Sequence, residues 1–169
     1  SVIGAMLVNM NGDNRILLIM ILVVSLTMAV LTLKGGFPSK IYALAVFIIG
    51  TSLLYHSSLI SRYLTSFGSD VTFEHYVFKN VQESGCWSSI PPSYWDVGLG
   101  RLNSMLSVTI LPTIYSNLIG IDSTWVFKLI YPLIFAIVPL GLYQLWKDSF
   151  GKKFAFVSVF FFMATATFY

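Results

Sequence analysis

The run from Ile16 to Leu33 contains no charged side chain and only three hydroxyls, Ser25, Thr27 and Thr32. A helix rises about 1.5 Å per residue, so about 20 such residues cross the roughly 30 Å hydrocarbon core of a bilayer. Two further runs meet the same requirement. Ile41 to Ile60 is interrupted only by His56 near its end, which reads as a packing or interface residue; Trp125 to Trp146 carries Lys128 one turn inside, where a long stem can snorkel to the interface. A fourth run opens at Phe154 and reaches the last residue, Tyr169. Soluble domains carry about a quarter charged residues, whereas this chain has 10% and a mean hydropathy of +0.80, too little polar surface to cover a water-soluble core. The expected fold is all-α: a polytopic transmembrane protein with spans at 16–33, 41–60, 125–146 and 154–169, the last one truncated. The chain starts at Ser1 and stops within an apolar run, so residues 1–169 are expected to be one membrane unit from a longer protein.

The connections between the runs set an orientation. Lys34-Gly35-Gly36-Phe37-Pro38-Ser39-Lys40 is a tight turn, with glycine and proline breaking the helix between two lysines. Lys147-Asp148-Ser149-Phe150-Gly151-Lys152-Lys153 is equally short and basic. Lysine-rich short loops stay in the cytoplasm, so both turns are expected there, at the cell membrane. Two crossings then separate them, and residues 61–124 form a large extracytoplasmic loop. In that loop the acids Asp70, Glu74, Glu83, Asp96 and Asp122 outnumber Arg62, Lys79 and Arg101. The segment Leu102 to Ile119 is apolar enough to suggest a further span. Its polar residues Asn103, Ser104, Ser107, Thr109, Thr113, Ser116 and Asn117 argue against full immersion, and Pro112 is expected to interrupt it midway. An interfacial or re-entrant helix pair is the reading.

Several chemistries are excluded. Basic residues are not gathered into a run that could follow a phosphate backbone, so nucleic acid is no expected partner. Cys86, the single cysteine, allows neither an intrachain disulfide nor a cysteine-based metal cluster. Phosphate-binding glycine loops, His-Glu-x-x-His helices and Gly-x-Ser-x-Gly elbows do not occur. Trp87, Tyr94 and Trp95 in the turn-rich stretch after Gly85 read as interfacial aromatics.

What remains is the opening of the outer loop. A helix starting at Asp70 puts Asp70 and Glu74 on one face, where like charges cost a few tenths of a kcal/mol. A proton, a cation or a substrate hydroxyl between them would offset that repulsion. The alternative is that Asp70 caps an amphipathic helix whose apolar face is Phe73, Tyr76, Val77 and Val81. His75 points elsewhere on the helix, so a metal triad with the two acids would need another segment. Arg62 and Arg101 have the paired donors that suit a lipid phosphate, and headgroup contact or loop ion pairing is the plainer role for each.

The stretch Ser69-Asp70-Val71-Thr72-Phe73-Glu74-His75-Tyr76 after a span, followed by an amphipathic and an interfacial helix, resembles the start of GT-C-type membrane glycosyltransferases. Leu106-Ser107-Val108-Thr109-Ile110-Leu111-Pro112-Thr113-Ile114-Tyr115, with the segment from Gly120 to Leu133, is similar to archaeal multi-pass membrane proteins of unknown function grouped with those enzymes. The resemblance covers roughly Ser61 to Trp146, and the chain departs from the simplest pattern in having the run Ile16 to Leu33 ahead of the span that precedes the loop. It implies a polyprenyl-phosphate-linked sugar donor approached from the bilayer. It also implies an acidic residue of the first outer loop that acts as base on the acceptor or helps hold a divalent cation such as Mg or Mn. That role falls on Asp70, with Glu74 second; Arg62, Arg101 and His75 are the candidate substrate-binding residues. A transporter or flippase, and a noncatalytic scaffold subunit, are the competing readings.

Overall fold

The structure is a computed structural model and describes residues 1–60, 70–88, 100–165 and 168, with the backbone alone at Asp70. Every regular element among the described residues is a helix. The chain divides into two compact units, the first built from residues 1–62 and 129–169 and the second from residues 63–128.

The first unit holds α1 (Val2–Asn11), α2 (Arg15–Lys34) and α3 (Ser39–Leu59), the C-terminal part of a long apolar helix (Ser123–Phe150), and α11 (Lys152–Met163). Arg15–Lys34, Ser39–Leu59 and Ser123–Phe150 are the three helices long and apolar enough to cross a membrane. They contain the first three expected spans and extend each by a few residues, apart from Ile60, which falls just past α3. The fourth expected run forms α11, whose 12 residues rise about 18 Å, short of a crossing.

The core lies where α3, the long helix and α11 meet. Tyr42, Val46 and Ile49 share the inward face of α3, while Phe156, Val159 and Met163 share that of α11, all at 3% exposure or less. The rings of Tyr42 and Phe156 lie 5.4 Å apart, and the Tyr42 hydroxyl donates to the Leu31 carbonyl, joining α3 to α2. Gly50 permits a close approach of these helices. A Cβ there would lie 3.2 Å from Met163 Sδ and 3.4 Å from Pro139 Cγ. Such small-residue contacts let helices pack through dispersion where lipid offers no hydrophobic driving force.

α2 stands at the edge. It buries only Leu17 and Leu31, and exposes Leu18, Ile19, Leu22, Val23 and Leu26 on a surface suited to acyl chains. Its Ser25 and Thr27 hydroxyls donate to the Ile21 and Val23 carbonyls one turn back, so neither needs a partner from outside. At one end of the unit, Asn9 Nδ2 donates to the carbonyl of Leu59, the last residue of α3. At the other, Lys152 Nζ donates to the Phe37 carbonyl at 2.6 Å, and the Tyr143 hydroxyl is 3.0 Å from Ser39 Oγ. The two lysine-rich turns therefore share one end of the unit.

The long helix is not uniform. α8 (Ser123–Trp125) passes into a π-helical turn (Val126–Ile130), then α9 (Tyr131–Phe135) and α10 (Ile137–Phe150). Pro132 has no N–H for the carbonyl four residues back, that of Lys128, and Pro139 repeats the defect near the start of α10. Lys128 departs from expectation: it does not snorkel, but is buried to 5% exposure inside the π turn.

The second unit contains α4 (Asp70–Ser84), α5 (Gly100–Ser104), α6 (Leu106–Thr109), α7 (Leu111–Ile119) and the start of the long helix. As expected, the apolar stretch Leu106–Ile119 is interrupted midway: α6 ends at Thr109 and α7 begins at Leu111, with Pro112 in the first turn of α7, where a missing N–H is tolerated. A second break falls at Met105, which is extended and separates α5 from α6. α7 ends at Gly120, whose φ of +70° is the left-handed cap that glycine adopts freely.

Candidate functional site

α4 begins at Asp70, so helical spacing places residues 70 and 74 on one face, as expected. Glu74 is half-buried and engaged with the protein. The Asp70 side chain and the whole of Arg62 lie outside the described residues. Arg101 is exposed on α5, which packs against α4, and its carbonyl accepts a hydrogen bond from Ser104 Oγ.

The buried face of α4 overlaps the expected apolar face only in part, at Val77 and the half-buried Val81. Val77 and Phe78 are buried at 3% and 0% exposure, while Phe73 and Tyr76 remain exposed at 45% and 49%. The reason is tertiary. Phe127, from the π turn, stacks edge-on with Phe78 at 5.8 Å and with His75 at 5.7 Å, and His75 and Phe78 are 6.0 Å apart. This three-ring cluster draws the His75 and Phe78 side of α4 inward, with α6 packed alongside.

His75 therefore sits where an apolar ring would serve as well. Its Nε2 is buried and has no hydrogen-bond partner. Burial holds its pKa below the usual histidine range; the Lys79 ammonium adds to that, and the Asp122 carboxylate works against it. Lys79, one turn along, donates to Gln82 Oε1 at 2.8 Å and lies 5.7 Å from the centre of the Phe78 ring, a cation–π contact. Asp122 N-caps α8, accepting from the Thr124 N–H at 2.8 Å; hydrogen bonding from the Thr124 side chain first, and from that backbone N–H second, keeps its carboxyl below the usual carboxylate range. The second unit thus assembles a neutral imidazole, a cation and an anion beside an aromatic cluster. In sequence Asp122 is one of the loop acids, and nothing local marks Phe127. The Asp122-Ser123-Thr124 cap pattern was the available signal for the former.

The stretch after α4 is pinned to α5. Trp87 Nε1 donates to the Asn103 carbonyl at 2.9 Å, and Asn103 Nδ2 donates to the Ser88 carbonyl. Cys86 between them is exposed. Among the described residues, no three His, Cys, Asp or Glu side chains come together as a metal site would require.

The His75 environment predicts a pH effect with a definite sign. Between the depressed folded pKa and the usual value of about 6.5, the unfolded chain binds more protons than the folded one. Stability is then full above about pH 6.5 and falls as the pH descends toward the folded value. Asp122 adds a separate loss only in the more acidic carboxylate range. Thermal unfolding of the full chain in neutral detergent should therefore show a declining Tm from pH 7 to 5, on the order of the histidine range. His75→Phe should flatten it; an unchanged slope would remove His75 as its origin.

No protein-family model, no curated protein and no solved structure matches this chain.

Proposed function

We propose that the chain belongs to a GT-C-type membrane glycosyltransferase that transfers a sugar from a polyprenyl-phosphate donor to an acceptor at the outer face. The observation that carries this reading is that residues 70 and 74 stand one turn apart on one face of α4, which follows the α3 span in sequence. An acceptor hydroxyl would attack the sugar's anomeric carbon, the bond to the lipid phosphate would break, and the Asp70 carboxylate would take the hydroxyl proton. Glu74, one turn along the same helix, is the second candidate for that role. Arg101, exposed on a helix packed against α4, is suited to the departing phosphate, and Arg62 is the second candidate for that role. Two carboxylates one turn apart are a sparse donor set for a divalent cation, so no step is assigned to a metal.

The orientation belongs to the same proposal: turns 34–40 and 147–153 in the cytoplasm, and residues 61–124 outside. Their common end in the first unit and their lysines support it. Cys86 is a natural reporter, being exposed and the sole cysteine. A membrane-impermeant maleimide should label it in intact cells; labelling only after lysis would reverse the orientation.

Incubating the full-length protein with a polyprenyl-phosphate sugar and acceptor tests the chemistry. Transferred sugar is the expected result, and its absence would end the enzymatic reading. A flippase would move the donor without breaking its phosphate bond, and the buried Lys128 of the third apolar helix is the feature that favours that alternative.

A further inference from the structure

We infer that the two lysine-rich turns together form one binding site for the headgroup of an anionic phospholipid. The turns are far apart in sequence, yet the bond from Lys152 Nζ to the Phe37 carbonyl joins them directly, and Tyr143 against Ser39 joins the adjoining helices. Lys34, Lys40, Lys152 and Lys153 are exposed there and Lys147 is half-buried, with Asp148 the single acid in either turn. At the opposite end of the unit, Asp13 and Arg15 approach to 3.9 Å and offset one another. Charge is therefore concentrated at one end.

The chemistry around the lysines identifies the ligand. Leu33, Phe150 and Phe154, at 80%, 66% and 72% exposure, sit within or directly beside these turns at the ends of α2, α10 and α11. A soluble anion or an acidic protein segment would leave those side chains uncovered. A phospholipid covers both sets, its acyl chains against the leucine and phenylalanines and its phosphate among the ammonium groups. Lysine suits this role because its ammonium is a mobile point charge, able to follow a headgroup without fixed bidentate geometry. The site depends on the helices lying in a bilayer, and not on the sugar-transfer chemistry proposed for the second unit.

The test uses the full chain in micelles containing equal amounts of phosphatidylglycerol and phosphatidylcholine, with native mass spectrometry reading which lipid stays bound. The expected result is strong retention of phosphatidylglycerol over phosphatidylcholine. The Lys40→Gln/Lys153→Gln double variant should reduce that preference by about fivefold for each lysine removed. Lys152 is left in place because its ammonium holds the two turns together. Equal retention of both lipids by the parent protein would overturn the inference, and so would an undiminished preference in the double variant. If the double variant unfolds more readily in phosphatidylcholine, salt decides with the parent protein. Raising ionic strength should erode the phosphatidylglycerol preference, and a salt-independent preference would overturn the site.

Discussion

Asp70→Asn should lower sugar transfer by the full-length protein about 100- to 10,000-fold, the range over which a positioned general base acts. Asparagine is the informative replacement because it serves the start of a helix about as well as aspartate does. The substitution therefore spares α4 and removes only the proton acceptor, which separates catalysis from capping. Glu74→Gln should have a smaller effect on the rate, because Glu74 is the second candidate for the base and Asp70 the first. Full turnover in Asp70→Asn would leave Asp70 as a helix-start residue, and the base would have to be sought elsewhere.

Phe156→Ala should destabilise the first unit by about 3 kcal/mol, at the low end for loss of a buried phenylalanine because the reference state is lipid or detergent rather than water. Phe156 is fully buried, its ring against that of Tyr42, whose hydroxyl is held by the Leu31 carbonyl. Leu22→Ala on α2 is the comparison. Leu22 is 60% exposed, so its truncation should change the unfolding midpoint in neutral detergent by very little. Equal losses in the two variants would contradict the division between a packed core and a peripheral α2.

The apolar helices were legible because their signal is length and hydropathy, which depend on nothing distant in the chain. That the stretch after Asp70 is helical was legible too, from its apolar pattern. The buried face of α4 was not. Phe73, Tyr76, Val77, Phe78 and Val81 cover more than one side of the helix, so its own pattern leaves the inward side open. Phe127 decides it, and Phe127 arrives from the π turn far along the sequence. Lys128 was misplaced for a related reason: an interfacial lysine and a protein-buried lysine look alike in sequence, and only Pro132 hinted that the helix around it is irregular. Of the candidate site, the acids of α4 were visible as a pair, while the grouping of His75 with Lys79 and Asp122 required the fold.

The first unit is assembled from two stretches of chain with the whole second unit inserted between them. During synthesis, α2 and α3 must wait in the bilayer with Tyr42, Val46 and Ile49 uncovered until the long helix and α11 arrive. Helices that insert first and associate later follow this order generally. Here the delay equals the time needed to make residues 63–128, during which the unfinished face of α3 is a place for a membrane chaperone to hold.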